Sequence, residues 1–519
     1  MPYRIAGRDF APRISQSSQQ RTGLGWRALL CLALYAASLD LVALGSRTLN
    51  YHEVLYAQPA REMLASGDWI QPRLIGVPCN QKPPLTTWLI AASMALWGDS
   101  EWAVRLPSVL ASAWLAAVVA GLAARWLGRR AGLAAGLVQA TSFYVLRQAR
   151  TAEADIFLCL AVALAMSCFS IGVVDGTRAT FTRRWLPAGF YLAAGLAFLV
   201  KGPIGPGFIL AACGLFAVVE RRRAVWRFLF DPLGLALVTL CVVAWPLAAY
   251  AADPTILDDW RLHHLGRFSG ELGRKSGFYY LYTMPAVLLP WTPAAAVGIW
   301  LAARRGWWRT PQARLLACWI LPGLLVISMC AFKRKHYSAP LLPPMSLAAS
   351  LGLVMLLGHR WKRLPWQAAT FAAVWAVVAG VQWGLARGGD LYRPQAEFAE
   401  RIGELVPQDA TISLIHMPEN QITYYVDRPM LRLDRGNGYL RSAADGTLAG
   451  QFVLAPERIV KRLEKTAIVE RLDACQPDAP EGLRLTLLRI GRPLASKTNQ
   501  ARDKKTAAGL GDMAQSAKR

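Results

Sequence analysis

LPSVLASAWLAAVVAGLAARWLGRRAGLAAGLVQATSFYVLR, residues 106–147, places two apolar runs on either side of a gap carrying Arg125, Arg129 and Arg130. Each run approaches the roughly 20 apolar residues that a helix needs to cross a bilayer. Further runs lie at 26–46, 156–174, 186–200, 204–219, 232–251, 279–303, 315–332, 338–358 and 366–387. Basic clusters recur at every second gap: Arg178, Arg183 and Arg184; Arg221, Arg222, Arg223 and Arg227; Arg304, Arg305, Arg309 and Arg314; Arg360, Lys362 and Arg363. Basic loops are retained on the cytoplasmic side, so this alternation predicts an α-helical polytopic membrane protein. Parity then puts 47–105, 148–155, 252–278 and 333–337 on the outer face. Residues 1–25 are expected in the cytoplasm. The first run is too long for a signal-peptide core and is read as a retained span. The segment 84–98 is short and reads as a further span or a re-entrant piece.

Composition agrees. Of 519 residues, 54% are apolar and 18% charged, with 20 Trp and a net charge of +25. Soluble domains average about 45–50% apolar and about 25% charged residues. A disordered chain needs low hydrophobicity, and a small disulfide scaffold needs dense cysteine. Both are excluded. The positive charge raises a nucleic-acid reading, and its distribution removes it. Residues 391–491 hold 13 basic and 14 acidic side chains. The excess therefore lies almost wholly in 1–390, divided between hydrophobic runs rather than laid along one binding stripe, and no nucleic-acid partner is expected.

Polar clusters on the outer face need another explanation than topology. The loop 47–105 is unusually long, and His52 and Glu53 open a helical segment within it. Glu53 at a helix N-terminus has a purely structural alternative, since negative charge is stabilised there. Thr151-Ala-Glu153-Ala-Asp155 opens a span, and a carboxylate at the depth of Asp155 is costly unless it faces water or a partner. Lys201-Gly-Pro and Lys82-Pro-Pro place lysines at the same boundary, where a side chain also snorkels without function. HHLGRFSGELGRKSGFYYLY (263–282) and KRKHY (333–337) crowd cations on the side the positive-inside rule disfavours. A phosphate-bearing ligand accounts for such cations. Carboxylates beside cations around a membrane cavity suit sugar transfer from a lipid phosphate: a carboxylate takes the acceptor proton, and cations stabilise the leaving phosphate.

These blocks, YHEVLYAQPAREMLASGDWIQPRLIGVPCNQKPPLTTWL, RTAEADIFLCLAVALA, GLAFLVKGPIG, HLGRFSG and KRKHYSAPLLPPMSLAAS, fall in order between about residues 47 and 350. They resemble the bacterial GT-C glycosyltransferases of glycosyltransferase family 39, which include the lipid A aminoarabinose transferase and, more distantly, protein O-mannosyltransferases. The resemblance implies a GT-C fold of roughly 11–13 transmembrane helices in the inner membrane. It also implies an inverting transfer on the periplasmic side, from a polyprenyl-phosphate sugar to an envelope lipid or glycan, lipid A or lipopolysaccharide being favoured. The family's loop pattern is Asp-Glu, and here His52 replaces the Asp. The base is then Glu53 or Asp155, which matches the family's second-loop acid; Glu53 is preferred with Asp155 as its partner, and His52, with an ordinary pKa near 6.5, is expected as a proton relay. Lys82 matches the lysine expected to bind the donor phosphate; Lys201, Arg267, Lys335 and His336 match further polar positions. His264, Glu153 and Tyr337 are additional candidates. Gln81 stands where the family has Glu, so a divalent metal shared between positions 81 and 264 loses support, and no other cofactor is implied.

From residue 391 the pattern changes to that of a small periplasmic α/β domain ending near 491. PQAEFAERIGEL and ERIVKRLEK read as helices, and DATISLIHM, GQFVLAP and LRLTLLRIG as strands. Residues 492–519 form a basic tail without apolar periodicity, expected to be disordered. Two rival readings stay open at this level: a transporter or lipid-sugar flippase, which Asp40 inside the first run fits better, and a non-catalytic relative, suggested by His52.

Overall fold

The computed structural model describes residues 23–175, 180–271, 273–358, 360–390, 393–417, 422–426, 428–433, 438–475 and 484–494, without the side chains of 180–184, 264–265 and 267–268. The N-terminal segment 1–22 and the tail from 495 lie outside the described residues.

The chain forms two compact units. The first is helical. Among the described residues, six of its helices are long and apolar enough to cross a membrane: Glu101–Leu127, Asp155–Val174, Pro232–Ala252, Pro311–Met329, Lys335–Leu357 and Leu364–Arg387. The pair Tyr279–Val287 and Thr292–Arg304 is bent by 108° and makes one more if taken as a single span. The remaining expected runs form shorter helices. The run 26–46 is helical only over Trp26–Asp40, 15 residues, about 22 Å against a hydrocarbon core of about 30 Å. The run 132–147 divides into Arg129–Thr141 and Phe143–Ala149. Leu85–Trp97, Trp185–Lys201 and Ile204–Glu220 are likewise short apolar helices. Apolarity reads directly from sequence, whereas caps and breaks set helix length. Gly128, at φ +90°, separates Glu101–Leu127 from the next helix. Asp231 caps Pro232–Ala252 by accepting from the Gly234 N–H at 2.8 Å.

Packing supports the charge alternation. The arginine-bearing gaps meet one another: Arg125 Nε lies 2.8 Å from Asp175 Oδ2, Arg314 Nε 2.5 Å from Glu220 Oε1, and Trp361 Nε1 donates to the Arg130 carbonyl at 3.2 Å. Gaps of the other parity meet the ends of neighbouring runs. Arg150 donates to the carbonyls of Asp40 and Val42 at 2.7 and 2.6 Å, and the Tyr280 hydroxyl donates to the Arg334 carbonyl at 3.0 Å. The outer surfaces of Pro232–Ala252 and Leu364–Arg387 leave Leu240, Leu247, Val377 and Val381 exposed, as lipid-facing helices do. Helices Thr292–Arg304 and Leu342–Leu357 approach backbone to backbone. A Cβ on Gly298 would meet the Ala348 carbonyl oxygen at 1.9 Å, and one on Gly352 would meet that of Ala294 at 1.9 Å.

The second unit comprises Arg47–Gln58, Leu74–Val77 and the chain from Asp390. Among the described residues its sheet has five strands: β1 (Ile412–Leu414), β2 (Met430–Arg432), β3 (Phe452–Pro456), β4 (Ala467–Ala474) and β5 (Leu485–Pro493). Their order is β2-β1-β3-β5-β4. Strand β1 runs parallel to β2 and β3, Ile412 lying beside Met430 and Phe452; β5 runs antiparallel to both β3 and β4. Helices Arg393–Leu405 and Glu457–Leu463 fall where the periodicity puts them. Val453, Ala455, Val460, Leu463, Leu488 and Ile490 form its core. Strands β2 and β4 were not legible: β2 has three residues, and β4 carries charged Glu470, Arg471 and Asp473 among its partly exposed positions.

Candidate active site

In the helical unit, Asp155 is the first residue of helix Asp155–Phe169 and Lys201 the last residue of its neighbour, Thr180–Lys201. The two helices pack together, which brings one N-terminus beside the other's C-terminus. The acid and the base thus each sit at the helix end whose dipole favours them. They form a buried ion pair, Asp155 being 4% and Lys201 8% exposed. Gly202, at φ +70°, ends the lysine's helix, and Ile204–Glu220 follows directly. The Lys201 ammonium also lies 5.6 Å from the Tyr337 ring centroid. Lys82 and the His336 imidazole also lie within electrostatic reach of the Asp155 carboxylate. His336 stands edge-on to Tyr337, 4.8 Å between ring centres.

A cavity of about 340 Å³ opens beside this pair. Lys82, Lys201, Gln81, His263 and Tyr337 supply its polar wall, and Leu158, Ile204, Phe208, Val326 and Ile327 its apolar one. The segment carrying Lys82 is held by three indoles. Trp88, Trp245 and Trp260 each donate Nε1–H to a carbonyl of the first loop, those of Trp69, Ile70 and Asn80, at 2.8, 2.9 and 2.9 Å. Asp253 accepts from the Gln71 and Asn80 amides, both at 3.3 Å. These hydrogen bonds make the three tryptophans a frame for the loop that carries Lys82.

The other candidates are dispersed. Glu153 is buried, two residues ahead of Asp155, and Lys335 is exposed at the start of its 3₁₀ turn. His264 and Arg267 have side chains outside the described residues, while the adjacent His263 lines the cavity. Lys333, noted in the sequence only as one of several cations, is 3% exposed and donates to the Cys330 carbonyl at 2.5 Å. Four hydrophobic cavity residues, Ile204, Phe208, Val326 and Ile327, carry no signal that separates them from ordinary core.

Glu53 and His52 belong to the second unit. Asn50 precedes helix Tyr51–Ser66, and its side-chain oxygen accepts from the N–H groups of His52 and Glu53 at 2.8 and 3.3 Å. Glu53 Oε2 accepts in return from the Asn50 N–H and Nδ2 at 2.9 and 2.7 Å. This reciprocal pair is a capping box with Asn at the N-cap and Glu three residues on. The structural alternative for Glu53 is therefore realised at one oxygen of a side chain that is 1% exposed. His52 is exposed, its ring edge-on to Tyr51. Among the described residues no group of three or more His, Cys, Asp or Glu is arranged to hold a metal.

A bundle of apolar helices with a cavity lined by lysines and apolar side chains, in a chain that also forms an α/β unit, is the architecture of a class: the membrane-embedded glycosyltransferases of GT-C fold. The fold matches ArnT from Cupriavidus metallidurans, solved bound to undecaprenyl phosphate, with a TM-score of 0.75 at 18% identity, over 89% of this chain and 97% of that one. Residues 81–247 match the family model described as dolichyl-phosphate-mannose-protein mannosyltransferase. The undecaprenyl phosphate-α-4-amino-4-deoxy-L-arabinose arabinosyl transferase of Pectobacterium carotovorum is 31% identical over 390 residues, covering 71% of this chain and 67% of that protein. Transferase 2 of the same description from Proteus mirabilis is 29% identical over 385 residues, 70% of this chain and 67% of that protein. The chain belongs to this family of arabinosyl transferases. It spans 55% to 67% of the length of the first curated relatives it matches.

Proposed function

We propose that this protein, in the inner membrane with its site facing the periplasm, moves a sugar from an undecaprenyl-phosphate donor to an envelope lipid or glycan. A 4-amino-4-deoxy-L-arabinose-type sugar and a lipid A-type acceptor are the favoured pair. The observation that carries the reading is the cavity, whose polar wall, with the cations Lys82 and Lys201 beside His263, adjoins an apolar one (Leu158, Ile204, Phe208, Val326, Ile327). That pairing suits a phosphate joined to a hydrocarbon chain and leaves little to recognise in a free sugar nucleotide. In this mechanism Glu53 takes the proton of the acceptor hydroxyl as its oxygen attacks the anomeric carbon. The bond from that carbon to the phosphate oxygen breaks with inversion, and its electron pair stays on the phosphate. Lys82 and Lys201 stabilise the charge that develops there, with Lys335, His336 and Arg267 contributing to the same field. Asp155 holds the Lys201 side chain in place through their ion pair, and His52 relays the proton outward.

The test is reconstitution in proteoliposomes with undecaprenyl-phosphate 4-amino-4-deoxy-L-arabinose and lipid A. Wild type is expected to form the modified lipid. Glu53→Gln should lower turnover about 10²- to 10⁴-fold while the protein still binds undecaprenyl phosphate, and Lys82→Ala should weaken that binding. Wild-type turnover in Glu53→Gln would overturn the base, and movement of donor across the bilayer with no product would favour a flippase.

A further inference from the structure

Three consecutive backbone amides lead into the Glu53 helix, and each is held by a side-chain oxygen. The N–H of Thr48 donates to Asp390 Oδ2 at 2.6 Å, that of Leu49 to the Tyr425 hydroxyl oxygen at 2.6 Å, and that of Asn50 to Glu53 Oε2 at 2.9 Å. The first two acceptors come from 342 and 376 residues further along the chain. Residues Arg47–Gln58 form one compact unit with the chain from Asp390. Thr48, Leu49, Val54, Ala57 and Gln58 are buried. A segment held only by its own helix would fray at this end, where the first turn has no intrahelical partners for its N–H groups. Here two acceptors from the C-terminal chain extend the capping box by two residues.

We infer that the C-terminal domain is a working part of the transferase, and that Tyr425 and Asp390 are positioning residues that set the place of the Asn50–Glu53 box. The inference rests on the proposed role of Glu53 as base. Its physical content is precision: a displacement of about 1 Å at a reacting group costs on the order of 100-fold in rate. The two acceptors differ in what they supply. Tyr425 offers a hydroxyl oxygen that Phe lacks while keeping the ring against Tyr424, 5.5 Å between ring centres. Asp390 offers an oxygen that Asn also carries and Ala does not.

The experiment measures kcat and donor KM on the full chain in proteoliposomes with the donor and acceptor named above, together with hydrogen exchange of the 47–58 segment. Tyr425→Phe and Asp390→Ala should each lower kcat about 10- to 100-fold with donor KM within about two-fold of wild type, and Asp390→Asn should recover most of the loss. Exchange of the 47–50 amides should accelerate in the two impaired variants, with the apparent unfolding midpoint of the chain unchanged. Combined with Glu53→Gln, Tyr425→Phe should cost nothing further, because residues acting through one group are not additive. Wild-type kcat in both Tyr425→Phe and Asp390→Ala would overturn the inference, as would a fully additive loss in the double variant. Wild-type turnover in Glu53→Gln alone is a separate result: it removes the base and, with it, the route through which the domain is inferred to act.

Discussion

Replacing Asp155 by Asn takes away the negative member of a buried pair and leaves the Lys201 ammonium, 8% exposed, without its counter-ion. Removing one partner of a buried ion pair costs about 3–5 kcal/mol, most of it the desolvated charge left behind. The surroundings make the cost asymmetric. Lys82 also acts on Asp155, so Asp155→Asn leaves Lys201 with a second cation nearby and no carboxylate between them. Lys201→Met leaves the carboxylate with Lys82. At an effective dielectric of about 20, a cation on the order of 8 Å away is still worth about 2 kcal/mol. Lys201→Met should therefore destabilise by about 2 kcal/mol less than Asp155→Asn, and the double variant should recover most of the loss. Apparent unfolding midpoints in nanodiscs are the assay; a deficit of about 4 kcal/mol corresponds to several degrees in a chain of this length. Undecaprenyl phosphate supplies negative charge to the same cavity in the proposed reading. Its stabilisation, about 2.7 kcal/mol at 100 times Kd, should be larger in Asp155→Asn than in wild type. Equal costs for the two single variants would refute the reasoning, as would a double variant no more stable than Asp155→Asn, or a lipid-induced shift smaller in that variant.

Glu53→Gln retains an oxygen able to accept from Asn50, whereas Glu53→Ala removes the box, so only the latter should lower stability, by about 1 kcal/mol; circular-dichroism melts of both variants beside their turnover separate the cap from the charge. Gly298→Ala must push apart two helices whose backbones already meet, because its Cβ would stand 1.9 Å from the Ala348 carbonyl oxygen, and it should lower the midpoint by several degrees. Gly214→Ala, with nothing within 4 Å of the added Cβ, should leave the midpoint unchanged or slightly raised. In the C-terminal domain, burial resists ionisation of Glu457, but the hydrogen bonds from Arg471 and Thr486 outweigh it and hold its carboxyl below the ordinary value of 4.5. A depressed folded value means stability that is present above the unfolded value and is lost as pH falls through the folded one. Arg471→Met should flatten the acid limb of exchange protection in β3 below about pH 4.5, by less than about 1 kcal/mol since the pair is partly solvated; an unchanged limb would show that the pair contributes nothing.

The apolar runs, the alternation of basic gaps and the change of pattern near residue 391 were legible in the sequence, because they are properties of contiguous residues; helix lengths were not, the run 26–46 being helical only over Trp26–Asp40. The candidates Glu53, Asp155, Lys82 and Lys201 were legible too, as polar groups where hydropathy and topology disfavour them. Their relations were not. Asp155 and Lys201 are 46 residues apart, and only the packing of two antiparallel helices makes them a pair. The tryptophans that hold the first loop look identical in sequence to lipid-facing ones such as Trp114 and Trp300. Glu53 reads equally as a base or as a helix cap until Asn50 is seen to answer it. The ties from Asp390 and Tyr425 to Thr48 and Leu49 span most of the chain. Hydropathy is summed along the chain, whereas a hydrogen bond depends on where two distant segments stop. The first is written in the order of residues, and the second exists only once the helices and the sheet have closed.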